Sequence, residues 1–266
     1  MKLTLLEKIP RERDRRFISE LEKRLSEVTS GLVVEFEILG LTDRRMPTVQ
    51  VSGEDEEAVA EILRKSFGFA PKNIRDLRNR PVQKSFIEKA LEQKDLVTVD
   101  VGLEDSASFR GVLRAERLSA QLFDGALVPL HKMISRFGFF EDFPLEIRVV
   151  SCDEAGQEAQ VELSDRQRDV LEEWKRLPFD RIIIQNSTAS EVSNAVRKAA
   201  LERDIAGVES LSLGTHSLIC KLGTDGQGLV RRLGSQLEAA KLFVFHPDRE
   251  HPEETRRKTK QPEEAS

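Results

Sequence analysis

Val97-Thr98-Val99-Asp100-Val101-Gly102, Phe109-Arg110-Gly111-Val112-Leu113 and Phe143-Pro144-Leu145-Glu146-Ile147-Arg148-Val149-Val150 are short strand-like segments inside the stretch from Ser85 to Val150. Their apolar residues recur at every second position, the period of a half-buried strand. Glycines fall at the breaks: Gly102 ends the first segment and Gly125 lies between the second and third. Several short strands punctuated in this way fit a small closed barrel of the S1/OB-like kind.

Upstream, residues 2–70 follow a β-α-β-β-α order. Leu3 to Leu6 makes a strand, and Phe17, Ile18, Leu21, Leu25 and Val28 fall at helical spacing up to Ser30-Gly31. Val34, Phe36 and Ile38 alternate with Glu35 and Glu37, Thr48 to Val51 returns as a strand, and Val59, Ile62, Leu63 and Phe67 stripe a second helix ended by Gly68. Pro71 to Pro81, with Lys72, Arg75, Arg78 and Arg80, reads as a basic linker into the barrel.

Downstream, Ser164-x-x-Gln167 is a capping box before a helix that runs to Pro178. Ile182 to Ile184 is then a buried strand, and Thr188-x-x-Glu191 caps a helix striped by Val192, Ala195, Val196 and Ala199. Leu211 to Leu213 and Leu218 to Leu222 form a strand pair with His216 in its turn. Leu229, Val230, Leu233 and Leu237 mark a second helix, and Leu242 to Phe245 a last strand. That β-α-β-β-α-β order is ferredoxin-like. The expected fold class is therefore α+β, two ferredoxin-like α/β sandwich units flanking the barrel. The boundaries are 1–75, 76–163, 164–247 and a tail over 248–266 whose Pro, Glu, Lys and Arg content predicts disorder. Residues 180–246 are expected to fold on their own.

The 266 residues carry 42 lysines and arginines against 47 carboxylates, a net charge of −5, which argues against a protein enveloped in duplex DNA but leaves room for a local basic groove. No apolar run is long enough to span a membrane, so a cytoplasmic protein with no membrane partner is expected. Cys152 and Cys220 are two reduced thiols rather than a disulfide framework. With no tyrosine and fourteen phenylalanines, any base stacking must use Phe, Trp174, His or Arg.

The chain resembles, up to its tail, a domain-of-unknown-function family found in archaea. The resemblance is carried by Val51-Ser52-Gly53-Glu54-Asp55 and Phe67-Gly68, by Val99-Asp100-Val101-Gly102, Gln121-Leu122-Phe123-Asp124-Gly125 and Phe137-Gly138-Phe139, and by Cys220-Lys221-Leu222-Gly223-Thr224-Asp225 with Gly228. It implies no settled activity, but a middle segment similar to S1-type RNA-binding barrels. Such barrels open on a Phe-x-Gly-x-Val strand, whereas here Phe86 precedes Ile87-Glu88-Lys89. Family members carry a Thr-Gly-His where this chain has Ala199-Ala200-Leu201, so no role passes to a histidine there.

Phosphates supply charge-driven affinity and bases a stackable ring, which selects Lys84, Phe86, Phe109, Arg110, Arg114 and Arg117 as RNA-binding candidates. The alternative for Phe86 and Phe109 is that they fill the barrel. Thr224, Asp225, Gly226 and Gly228 lie between a strand and a helix, where backbone N–H groups could hold an anion or small ligand; the alternative is a turn capped by Asp225 or Thr224. No metal spacing, no Gly-x-Ser-x-Gly elbow and no cofactor fingerprint is present. The function expected is a non-catalytic RNA-binding factor, its partner single-stranded or structured RNA in the setting of the ribosome or the transcription machinery. A second reading is an ACT-like regulatory module that binds a small ligand or a protein.

Overall fold

The computed structural model describes residues 1–247 apart from residue 12 and residues 92–94, so the tail expected over 248–266 lies outside the described residues. The protein is a mixed α+β structure with three sheets, of which the middle one is a closed five-stranded barrel.

In the first unit β1 (Lys2–Thr4), α1 (Asp14–Val28), β2 (Val34–Leu41), β3 (Pro47–Gly53) and α2 (Glu56–Phe67) make an antiparallel sheet of order β1-β3-β2. A single antiparallel bridge between Leu5 and Phe69 extends the chain beyond the free side of β1. The helical stripes meet the sheet as their spacing requires: Phe17, Leu21, Leu25, Val59, Leu63 and Phe67 pack with Val49 and Val51.

The basic segment 71–81 holds more than a linker. Asn73 accepts a hydrogen bond from Asp76 N at 3.0 Å and caps the short helix α3 (Ile74–Asn79), whose Leu77 is buried in the core of the barrel. Six helical residues with one buried anchor are too few to show a period in sequence.

The barrel consists of β4 (Val82–Leu91), β5 (Leu96–Asp100), β6 (Arg110–Arg114), β7 (Pro144–Asp153) and β8 (Glu158–Leu163), closing in the order β4-β5-β6-β8-β7. Neighbours are antiparallel except β6 with β8, which are parallel. Two helices, α4 (Ala115–Leu122) and α5 (Leu130–Phe137), lie between β6 and β7. Gly111 faces the packed interior, where a Cβ would sit 2.6 Å from Val99 Cγ2, so the closure of the barrel depends on a missing side chain. Helix α6 (Asp165–Arg176) follows. Ser164 caps it by accepting from Gln167 N at 3.0 Å, but the Gln167 side chain turns to accept from Glu146 N instead of returning to the cap. Read as the opening of the third unit, α6 packs Leu171 and Trp174 into the core of the barrel.

The third unit is β9 (Arg181–Gln185), α7 (Ala189–Lys198), β10 (Ile205–Ser210), β11 (Thr215–Cys220), α8 (Gly226–Gly234) and β12 (Lys241–Phe245), all antiparallel in the order β10-β11-β9-β12. The Thr188–Glu191 capping box is complete. Ile182, Ile184 and Leu218 pack under the two helices, while Ile183 and Phe245 point the other way and join Trp174 in the core of the barrel. Both faces of this sheet are thus covered, one by its own helices and the other by residues of the barrel's core. The strand expected at Leu211 to Leu213 lies earlier, at β10. Residues 211–214 form the turn, because Leu213 leaves the third unit and is buried in the core of the first. His216 accordingly sits in β11 rather than in a turn.

Buried charges fasten the units. Glu7, 1% exposed, accepts from Lys84 Nζ of β4 at 2.5 Å and from Leu213 N at 2.8 Å, so one carboxylate touches all three units. Asp100 is held by Arg44 and Lys8 of the first unit. On the other side Glu191 pairs with Arg13 and Arg16, and Glu20 accepts from Ser190 Oγ.

Candidate nucleic-acid interface

Arg110 and Arg114 are four residues apart on β6 and therefore on one side of the strand, and Arg117 follows in the first turn of α4. Arg114 and Arg117 reach toward β8, whereas Arg110 reaches the other way, across β5 to β4. Each is already engaged: Arg110 Nε donates to Glu88 Oε2 at 2.5 Å, Arg117 Nε to Glu162 Oε2 at 2.6 Å, and Arg114 Nε to Gln160 Oε1 at 3.2 Å. A phosphate arriving here would share these cations with Glu88 and Glu162.

The other barrel candidates are placed differently. Lys84 faces the first unit through Glu7. Phe109 lies in the core of the barrel at 0% exposure, and Phe86 at 1% sits opposite Asp100, where the first unit covers the barrel. Neither ring reaches solvent, so the stacking platform expected of them is absent from this face. Hydrophobic burial takes large rings out of water wherever a core is there to receive them.

At the glycine-containing loop, Asp225 caps α8 by accepting from Gln227 N at 3.1 Å and Gly228 N at 3.2 Å, while Gly226 N donates to Asp180 Oδ2 at 3.0 Å. Thr224 N donates to Lys221 O at 3.0 Å. The N–H groups expected to cradle an anion are thus satisfied by two carboxylates, and an incoming anion would meet like charge there.

No group of three metal-ligating side chains is present among the described residues. His216 is fully buried: Nε2 lies 2.9 Å from Ser187 O and Nδ1 3.1 Å from Ser210 Oγ, so the proton resides on Nε2 and Nδ1 accepts. Burial pushes its imidazole down to about 4, and the nearby Arg24 guanidinium acts in the same direction. Burial also pushes both thiols up, that of Cys220 to about 11, which leaves neither as a ready thiolate. No helix among the described residues is long and apolar enough to cross a membrane.

One basic surface escaped sequence reasoning. A cleft of about 1210 Å³ opens between the first unit, the segment around α3 and β4, and the start of α6. Lys2, Arg64, Lys65, Lys72, Arg80 and Arg166 line it. The cation run from Lys72 to Arg80 was its one sequence cue, since Lys2 and Arg166 are brought there only by packing of the units.

Family models match three successive parts of the chain: the DUF2110 N-terminal domain over residues 2–73, the DUF2110 central domain over 89–175 and the DUF2110 C-terminal domain over 179–245. No curated protein matches the chain.

Proposed function

The chain belongs to the DUF2110 family, and we propose that it is a non-catalytic RNA-binding factor associated with translation or transcription, its central barrel being of the S1/OB-like kind. The observation that carries this reading is the strand order. Numbered within the barrel, the strands run first, second, third, fifth, fourth and back to the first, the third and fifth are parallel, and helices lie between the third and fourth. Five-stranded barrels of that kind bind oligonucleotides across their second and third strands. In this chain those are β5 and β6, the latter bearing Arg110 and Arg114 with Arg117 beside it. We read the flanking units as ferredoxin-like. In the third, the sheet order is second, third, first, fourth. In the first, the Leu5–Phe69 bridge stands where a fourth strand would lie. The alternative of an ACT-like ligand module rests on the strand order of the third unit alone, since its candidate loop has its donors taken.

The test is fluorescence anisotropy with a short unstructured RNA at low and physiological salt. The wild type is expected to bind, with affinity falling steeply as salt releases counterions at each phosphate contact. The triple variant Arg110→Glu/Arg114→Glu/Arg117→Glu is expected to bind at least about tenfold more weakly, as reversing several phosphate contacts should do. A wild type that ignores RNA at low salt, or a triple variant that binds as well, removes the reading for this face.

A further inference from the structure

We infer that the cleft between the three units is a channel for the phosphate backbone of a single-stranded nucleic acid. The inference rests on the reading of the protein as an RNA binder, but assigns the phosphates to residues outside the barrel face.

Charge is the first argument. The cleft is lined by four lysines and three arginines against three carboxylates, although the whole chain has more acids than bases. Three of these cations are paired, Arg64 with Glu61, Lys84 with Glu7 and Arg166 with Glu146, and Asp76 accepts from Lys72 N at 3.2 Å. Lys2, Lys65, Lys72 and Arg80 are exposed and make no ion pair among the described residues. Like charges gathered in a concavity repel one another, and the low-dielectric walls focus their field into the space between them, where a polyanion relieves the repulsion.

Shape is the second argument. At about 1210 Å³ the cleft exceeds the range of roughly 300–1,000 Å³ typical of small-molecule pockets, so a polymer segment fits it better than one metabolite. Its cations come from three different parts of the fold and converge on a hollow, which a flat anionic surface such as a membrane could not reach. Part of the lining is apolar: Phe69 is half-buried and Val82 is 45% exposed. Cations lining one hollow together with an aromatic side chain suit a flexible single strand whose bases turn inward, whereas a duplex presents phosphates outward on a stiff rod.

The experiment uses the full chain and a fluorescein-labelled twelve-nucleotide oligouridylate, with a duplex of equal length and polyglutamate as competitors. Lys65→Glu/Lys72→Glu/Arg80→Glu is compared with the barrel-face triple variant, and circular dichroism melts check folding. A Lys72→Ala/Arg80→Ala pair serves should charge reversal prevent folding. The cleft variant is expected to bind at least about tenfold more weakly, with its log affinity against log salt slope reduced by about 2, as three lost phosphate contacts to a single strand imply. If the cleft variant fails and the face variant binds normally, the channel stands and the barrel face is not the site. If only the face variant fails, the channel is overturned and the barrel reading survives. Binding as tight as wild type by both variants also overturns the channel, a tenfold loss in both supports channel and face together, and a wild type without RNA affinity overturns both readings. Preference for polyglutamate or for the duplex over the oligouridylate overturns the channel as a single-strand site.

Discussion

The barrel face and the interunit cleft are both rich in cations, and they differ in where the balancing charge comes from. On the barrel, Arg110 reaches across β5 to Glu88 of β4 and Arg117 reaches from α4 to Glu162 of β8, so each finds its carboxylate within the barrel unit itself. In the cleft, the cations are carried by separate units that meet across open space, and Lys2, Lys65, Lys72 and Arg80 face no carboxylate at pairing distance among the described residues. Charge on a sheet tends to be answered locally. Charge gathered by the packing of units is answered where a carboxylate meets it, as Glu7 meets Lys84, and among the described residues stays unanswered at Lys2, Lys65, Lys72 and Arg80.

If the cleft depends on how the units are joined, breaking the junction should cost more than anything done to the barrel face. Glu7→Ala strands the partly buried Lys84 ammonium and the Leu213 N–H, and is expected to lower stability by about 3–4 kcal/mol, the range for removing one partner of a buried ion pair. Urea unfolding reads this directly. A loss under about 1 kcal/mol would mean that apolar packing, not this carboxylate, joins the units.

A smaller effect is expected from acid. His216 bonds Ser210, which lines the cleft, and is held neutral in the fold, its pKa pushed from 6.5 to about 4. Between those values the unfolded chain binds a proton that the folded protein refuses. Stability from this site is therefore complete above about pH 6.5 and falls as pH drops, by about 2 kcal/mol at pH 5. Melting temperatures at pH 7 and pH 5 should converge in His216→Gln relative to the wild type. An unchanged gap would assign the acid sensitivity elsewhere.

The smallest effect belongs to the barrel face. Arg110→Ala removes a half-exposed ion pair with Glu88 and should change stability by less than about 1 kcal/mol. A loss of several degrees in melting temperature would make that arginine structural and weaken the comparison from the other side.

Part of the candidate site was legible in the sequence. The alternation around Val97 and Val112 places β5 and β6, and with them Arg110 and Arg114 on one strand face. For Phe86 and Phe109 the sequence offered both a stacking ring and a barrel-filling one, and burial decides for the second, since a ring after a turn looks the same in sequence whether it faces water or a neighbour. At the glycine loop the cap by Asp225 was among the sequence's alternatives, but Asp180, far away in the chain, could not be seen taking the Gly226 N–H.

The sequence by itself determined the local order of strands and helices, because side-chain period, capping residues such as Thr188 with Glu191, and glycine stops act within a few residues. It also determined which helix faces would be buried. Only the tertiary structure decided that Leu213 belongs to the core of the first unit, that Phe245 and Trp174 belong to that of the barrel, and that one buried Glu7 serves three units. It likewise decided that Lys2, Lys72 and Arg166 share one cleft. The physical reason is that burial and charge balance are properties of whichever surfaces meet, and those surfaces come from residues far apart in the chain that no local pattern relates.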